Sequence, residues 1–458
     1  MTSHERRTVA RAWGLTVVAA GLAAAQPFPV AAQGLNDSLT AAYRSNPTLL
    51  AARAELGSVN EGVPQALSDY RPEVLIDASL GLQRRDTNSL SPETTEPLVA
   101  ELTVDQPLYR GGRTVAAVAG AEALVNAGRA ELIAVEQAVL LDAAVAYMDV
   151  WRDQAVLKLN EGNEEVLKRQ LEATQDRFDV GELTRTDVAQ SESRLARATA
   201  TRIASRGDLA ASRAVFEEVV GLAPGVLEAP SALDGLPGSR DEAVEAALEA
   251  NPELTGARFT EEAARHQIDV ARGQLYPELS LTGEASHSEE TATQDSETQR
   301  LLGQVEITVP LYQRGLVSSQ VRENKQRALQ RRREIDEALR RTERLAVASW
   351  EQLKSTEAQR DSFGTQVRAA EIALEGVRQE NTVGARTILD VLDAEQELLD
   401  AQVSLVRARR DEIVAGFEVF SAMGRLTARN LALGIEIYDP EVDYRAVRDR
   451  WFGLEAPG

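Results

Sequence analysis

The chain has 458 residues, no Cys, three His, 4% aromatic residues and a formal net charge of -22. A Cys nucleophile, a thiolate metal site and a structural disulfide are therefore excluded, and His266 and His287 lack metal-ligand spacing. An acidic chain is also a poor candidate for binding nucleic acid. Because neither a phosphate-binding Gly-Lys loop nor a Gly-x-Ser-x-Gly elbow is present, the sequence predicts no enzyme and no cofactor.

Residues 1–32 have the pattern of a secretory signal peptide. Basic residues at Arg6, Arg7 and Arg11 precede an apolar run over 14–25 and a small-residue cleavage site at 30–32. The signal predicts export to the periplasm or beyond; the Arg6-Arg7 pair leaves the twin-arginine route open. No later stretch approaches the roughly 20 apolar residues of a membrane-spanning helix, so a membrane-crossing mature chain would have to use a closed β-barrel.

The rest of the chain is a tandem duplication. Landmarks recur in the same order 203 to 206 residues apart, which divides the chain into a first repeat (33–222), a linker (223–240), a second repeat (241–426) and a C-terminal extension (427–458). The matching landmarks are Asn46-Pro47 with Asn251-Pro252, Tyr70-Arg71-Pro72 with Tyr276-Pro277, Pro107-Leu108-Tyr109 with Pro310-Leu311-Tyr312, Val180-Gly181-x-x-Thr184-x-x-Asp187 with Val383-Gly384-x-x-Thr387-x-x-Asp390, and Gly221 with Gly424.

Each repeat begins with a helix and continues with two segments of alternating apolar and polar residues, at about 73–86 and 97–108 and again at about 278–288 and 301–310. This alternation predicts strands with one apolar face and one polar face, typical of a water-filled membrane barrel; an ordinary half-buried soluble hairpin is the alternative. Polar loops are expected at Thr87–Glu96 and Glu289–Arg300, facing the cell exterior. Because four strands cannot close a barrel, the chain is expected to oligomerise.

Two very long helical stretches follow in each repeat, at about 114–179 and 184–220 and at about 316–382 and 387–423. They lack Pro and are rich in strong helix formers. About 65 residues of helix reach on the order of 100 Å, enough for a tube across the periplasm. A filamentous coiled coil is the alternative, but it would leave the strands unexplained.

Taken in order, these residues resemble the TolC family of outer-membrane efflux and secretion channels. The most specific match is the segment 383–394, VGARTILDVLDA, which is similar to the family's turn between its longest helices. The resemblance implies a mainly α protein with a membrane β-barrel: a homotrimer whose 12-stranded β-barrel is continuous with a 12-helix periplasmic α-barrel. The linker and the C-terminal extension would form an equatorial belt.

The resemblance also implies a gate at the periplasmic tip. Asp390 and Asp393 would form two stacked acidic rings in the narrowest part of the pore, although at this spacing they are also typical of solvated helix residues. Asn381 stands where the best-known member of the family has a Tyr that helps to lock the closed state. The remaining implied roles are gate-locking contacts by Arg386 with Thr186 and Asp187, and adaptor docking at the turns Val180-Gly181 and Val383-Gly384.

The expected function is that of a passive exit duct in the outer membrane, extending into the periplasm among outer-membrane lipid. With no nucleotide site in the chain, energy would come from an inner-membrane ABC or proton-driven exporter, reached through a periplasmic adaptor (a membrane fusion protein). The tail 438–453 resembles members that serve type I protein secretion, although Trp451 and Phe452 are equally consistent with packing anchors. Multidrug efflux with a proton-driven pump remains open, as does a periplasmic structural coiled-coil protein.

Overall fold

The computed structural model describes residues 34–87, 90–230 and 233–455; the predicted signal peptide lies outside them. The described residues form ten helices: α1 Leu35–Ser45, α2 Pro47–Asn60, α3 Gly62–Ser68, α4 Arg113–Asp179, α5 Arg185–Val220, α6 Arg240–Ala250, α7 Pro252–Gly273, α8 Leu316–Thr382, α9 Ile388–Ala422 and α10 Pro440–Arg448. In the described part of the chain, none of these helices combines the length and the apolar character that crossing a lipid bilayer requires.

The two longest helices, α4 and α8, have 67 residues each and therefore span about 100 Å. Each starts directly after a glycine in the left-handed region, Gly112 at φ +78° and Gly315 at φ +79°. These helices begin and end within a residue of the stretches that the sequence predicts. Each turns back through a short connection into a shorter helix, so that α4 with α5 and α8 with α9 form two helical hairpins.

The described residues form six strands: β1 Glu73–Leu80, β2 Gln83–Thr87, β3 Leu90–Thr95, β4 Leu98–Arg110, β5 Glu278–Glu289 and β6 Glu297–Thr308. Four of them, two from each repeat, form an antiparallel sheet in the order β1-β4-β5-β6, and β2 and β3 of the first repeat form a separate pair. Two expectations were wrong here. The strand expected at 73–86 ends at Leu80, and Thr87–Glu96 is largely a β-hairpin arm, because its polar residues pair locally and show no apolar alternation.

The sheet has one apolar and one polar face, as the alternation predicts. Residues in register across the four strands share a face: Ile76, Leu102, Ala285 and Leu301 on one side, and Asp77, Glu101, Ser286 and Arg300 on the other. The loop expected at Glu289–Arg300 is shorter than predicted, since β6 begins at Glu297.

The helices continue the order of the strands. Next to the sheet, α4 packs between α7 and the short helices α2 and α3, and α7 packs in turn on α8. Toward the other end of the long helices, neighbouring helices follow the order α5, α4, α9, α8. One protomer is therefore an open wall. Its first edge consists of β1, α2, α3 and α5, and its second edge consists of β6 and α8.

The main hydrophobic core lies midway along the helices. Tyr147 of α4, Phe216 of α5 and Phe417 of α9 are fully buried there, together with α1 and residues after α9. The Tyr147 hydroxyl donates a 2.8 Å hydrogen bond to the Glu228 carbonyl of the linker. This core therefore joins both repeats and the linker into one body.

The repeated Asn-Pro pair has a structural explanation. Asn46 accepts a hydrogen bond from the Thr48 amide at 2.9 Å, which caps α2, and its Nδ2 donates to the Val219 carbonyl at 3.0 Å. Asn251 likewise caps α7 and donates to the carbonyl of Ala422 at 3.3 Å. Proline suits the first position of each following helix. Each Asn thus starts one helix and ties it to the end of a return helix.

Candidate functional site

The tips of the two helical hairpins carry the predicted gate and adaptor-docking residues. Each long helix ends with a glycine in the left-handed region, Gly181 at φ +84° and Gly384 at φ +77°. In the first turn, Gly181 N–H donates to the Phe178 carbonyl and Glu182 N–H donates to the Arg177 carbonyl, both at 2.9 Å. This pair of hydrogen bonds is the Schellman motif. Glycine suits its left-handed position because it has no Cβ to clash with the backbone.

Each return helix then starts with a capping box. Thr184 and Thr387 are the N-caps, and the Asp three residues later accepts from the backbone amide and the hydroxyl of that Thr, at 2.8 to 2.9 Å. The repeated Val-Gly-x-x-Thr-x-x-Asp pattern is therefore a helix stop followed by a helix start. A Thr-x-x-Asp pattern before a helix signals this role in sequence.

Asp390 is consequently a structural residue as well as a charged one. Hydrogen bonds from the Thr387 hydroxyl and then from its amide hold the pKa of Asp390 below its ordinary value. Asp187 has a lowered pKa for the same reason, with the Thr184 amide as the leading cause. Both carboxylates remain ionised at neutral pH while facing back toward their own helix N-terminus.

Asp393 lies one turn beyond Asp390 and has a different environment. Its carboxylate forms an ion pair with Arg194 of α5, and its side chain is 68% exposed. This pair links the two hairpins. Sequence reasoning missed Arg194, since nothing in its spacing indicates a partner on another helix.

The turn glycine and the capping box are duplicated, but the residues of the ion pair are not. At the 203-residue offset of the tip motif, Asp390 corresponds to Asp187, but Asp393 corresponds to Gln190 and Arg194 corresponds to Glu397. The ion pair therefore joins α5 to α9, and the corresponding positions of the other repeat, Glu397 and Gln190, cannot form an equivalent ion pair.

Arg386 makes contacts within its own turn. Its Nε donates to Glu380 Oε2 at 2.9 Å, and its Nη1 lies 3.9 Å from Asp390 Oδ1. Among the described residues of one chain, Arg386 makes no contact with Thr186 or Asp187, whose carboxylate accepts from the Thr184 hydroxyl. The contacts of Arg386 tether the second turn locally, and the predicted gate-locking contact stays a prediction.

The two hairpins touch only narrowly near the tip. A small cluster of Leu167, Ala198 and Leu392 joins α4, α5 and α9. Grooves of about 630 Å³ and 730 Å³ flank α9 on its two sides. Farther from the tip, Arg410 of α9 pairs with Asp149 of α4 at 2.8 Å, next to the main core. Near the tip, the hairpins are therefore joined by this small cluster and by the ion pair of Arg194 with Asp393, far from the main core.

The turns themselves present apolar side chains. Val180 and Val383 are largely exposed, and Phe178 is partly exposed beside Val180. A metal has no evident place in this region, since no group of three or more His, Asp or Glu side chains within residues 34–87, 90–230 and 233–455 is arranged to hold one.

Comparison with known proteins gives a consistent result. The family model described as outer membrane efflux protein matches residues 39–222 and 243–425, one match for each repeat. The outer membrane efflux protein BepC of Brucella suis is 36% identical over 425 residues, which cover 92% of each chain. The outer membrane protein TolC of Vibrio cholerae is 26% identical over 409 residues, covering 87% of this chain and 92% of that protein.

Solved structures share the fold. The outer-membrane channel OprN superposes with a TM-score of 0.75 at 19% identity, covering 85% of this chain and 89% of that chain.

Proposed function

The chain belongs to the outer membrane efflux protein family, and from this premise we propose that it is the passive exit duct of a tripartite export system. It is a protein of the outer membrane that extends into the periplasm. Its structural neighbours are channels rather than enzymes, and we assign it no catalysis. The alternative of a periplasmic coiled coil outside the membrane is set aside.

The observation that carries the proposal is the open wall. Both edge strands of the four-stranded sheet, β1 and β6, pair on one side only within the described chain, and the helices below follow the same order. Unpaired edges of this length favour association. A homotrimer would join its sheets into a closed barrel of twelve strands above a ring of twelve helices.

The partners follow from the two ends of the wall. The exposed Val180 and Val383 with the adjacent Gly181 and Gly384 are the proposed docking points for a periplasmic adaptor. An inner-membrane exporter, of the ABC or the proton-driven class, would supply energy through that adaptor.

At the tip we assign different duties to the two aspartates. Asp390 maintains the turn and adds negative charge, whereas Asp393 adds charge and holds the α8–α9 hairpin to α5 through Arg194. A contact of Arg386 with Thr186 and Asp187 would need a neighbouring copy and stays a prediction.

Single-channel conductance of the detergent-extracted protein in planar bilayers tests the duct. We expect discrete, cation-selective steps, because ionised Asp390 and Asp393 favour cations. A protein that is fully soluble without detergent and never inserts would overturn the proposal.

The cargo class is tested in a strain that lacks the gene. The 36% identical relative is named an efflux protein, which favours small molecules, while the resemblance of the tail favours type I protein secretion. Increased susceptibility to toxic compounds would support efflux, and loss of a secreted polypeptide from the medium would support secretion. An unchanged strain in both assays would contradict an export role.

A further inference from the structure

The C-terminal extension ends in an ordered turn. Arg450 donates from Nε to the Phe452 carbonyl at 3.1 Å and from Nη1 to the Glu455 carbonyl. Gly453 has φ +114°, and a Cβ there would lie 2.6 Å from Arg450 Nη2. The guanidinium therefore fixes residues 450–455, hereafter the tail turn, in a conformation that requires glycine.

The tail turn displays apolar side chains that its own chain does not cover. Phe452 is 85% exposed and Leu454 is fully exposed. Trp451 is partly held, since the Arg71 guanidinium lies 4.8 Å from the centre of its ring and Arg71 Nη1 donates to the Arg450 carbonyl at 2.8 Å. An ordered display of apolar groups marks an interaction surface.

Its position identifies the edge to which it belongs. Arg71 lies two residues before β1, so the tail turn is anchored at the helix-proximal end of the first edge of the wall. From that anchor, Trp451 and Phe452 line a cavity of about 710 Å³ whose other lining residues include the helix-proximal ends of β1, β4, β5 and β6. The second edge has its own uncovered apolar pair at the same end of the sheet. Leu311 is 92% exposed and Tyr312 is 84% exposed, directly after β6.

Charge along the two edges is complementary. Residues 322–344 of α8, on the second edge, contain nine basic and five acidic residues, an excess of four positive charges in an acidic protein. Residues 47–70, which form α2, α3 and their flank on the first edge, contain one basic and three acidic residues. That single basic residue, Arg53, stacks on Tyr43 and Tyr438 instead of standing free. Opposite charge on the two edges favours bringing them together.

We propose that the tail turn is an intersubunit contact, in which Phe452 and Leu454 of one copy pack on Leu311 and Tyr312 of the next copy. This inference rests on the proposed assembly of several copies into a duct. It gives the C-terminal extension a role in closing the ring at the junction of strands and helices.

Cysteine crosslinking tests the contact cleanly, because the chain contains no Cys. The double variant Phe452→Cys with Leu311→Cys is oxidised in detergent and run on a denaturing gel without reductant. We expect covalent dimers and trimers that reductant converts to monomer. Phe452→Cys with Ile372→Cys is the matched control: Ile372 is also exposed on the second edge, but it lies on the order of 80 Å farther along α8.

The other outcomes overturn the contact. If oxidation consumes both thiols but no covalent oligomer forms, the disulfide lies within one chain, and the tail turn contacts the second edge of its own copy. A thiol at position 452 that stays free in an intact trimer and reacts with a lipid-soluble maleimide would place the tail turn in the lipid.

A second measurement does not depend on crosslinking. Within the chain, Phe452→Ala removes the tilted contact of its ring with Trp451, whose ring centre lies 6.2 Å away, and little else because Phe452 is 85% exposed. The protomer should therefore fold normally while the trimer dissociates in detergent at a lower temperature. An unchanged dissociation temperature would contradict the contact. Val442→Ala, an exposed apolar side chain on α10, is the control. If the wild-type protein forms neither trimers nor channels, the proposed duct is refuted. If it forms trimers in which the tail contact is absent, only the tail contact is refuted.

Discussion

Breaking the ion pair between Arg194 and Asp393 should favour the open duct without reducing its preference for cations. The pair joins α5 to α9 beside the small apolar cluster of Leu167, Ala198 and Leu392. Because Asp393 is 68% exposed, the pair contributes only about 0.5 kcal/mol. In a trimer in which three pairs break together, Arg194→Gln should shift the closed-to-open equilibrium by about 1.5 kcal/mol, or roughly tenfold.

Two further variants separate the link from the charge. Asp393→Asn removes both, so it should raise the open probability and also weaken cation selectivity. The charge-reversed double variant, Arg194→Asp with Asp393→Arg, should restore a low open probability while reversing the charge at position 393. Single-channel recording measures both quantities, and the effect of Arg194→Gln should shrink at high salt because surface ion pairs are screened.

Arg169→Gln is the matched control, since its pairing with Glu165 lies within α4 and both side chains are exposed. If Arg194→Gln and Arg169→Gln give the same open probability, the link between the hairpins does not hold the gate. If Arg194→Gln weakens cation selectivity, the separation of duties between link and charge is wrong.

The remaining predictions concern stability, measured by thermal unfolding in one detergent. Asn251→Ala should lower the free energy of unfolding by about 2 kcal/mol, of which about 1 comes from the lost helix cap and about 1 from the lost hydrogen bond to Ala422. Asn251→Asp should lower it less, because Asp keeps the capping oxygen. Gly424→Ala should destabilise the protein more than Gly384→Ala. Both glycines have positive φ, but a Cβ at Gly424 would lie 2.3 Å from the Ala250 carbonyl oxygen, whereas a Cβ at Gly384 would meet nothing within 4 Å. Equal losses of stability would contradict this steric clash. Burial raises the pKa of Tyr147 to about 12, so its neutral form is favoured in the folded state. The resulting stability is fully present below pH 10 and is lost as pH rises toward 12, and Tyr147→Phe should remove this component of the alkaline loss.

Much of the fold could be predicted from local signals. The two 67-residue helices follow from strong helix formers without Pro, and their ends follow from glycine and Thr-x-x-Asp signals. The two faces of the sheet follow from alternation, because side chains on a strand point to opposite sides. These features depend on residues close together in sequence.

The features that the sequence did not predict depend on residues that are far apart in sequence, or on strands without an apolar face. The β2–β3 hairpin arm is polar on both sides, so alternation could not reveal it. The partners of Asp393 and Trp451 come from other helices or segments, Arg194 and Arg71, at separations that no local spacing encodes. The role of Asp390 was within reach, since the capping box was visible in the repeated motif.

Comparison of the two repeats separates structural from functional residues at the tip. A feature that makes a helix turn must be present in both hairpins, and the capping boxes of Thr184 and Thr387 are. Asp393 has Gln190 as its counterpart, so folding of a hairpin does not require a carboxylate there. The same is true of the link from α9 to α5, which makes the two hairpins unequal. A gate that opens by moving one hairpin against the other would have to break a contact between the hairpins, whereas it could leave the duplicated capping boxes intact. The ion pair of Arg194 with Asp393 is therefore the feature at the tip best suited to gating rather than to folding.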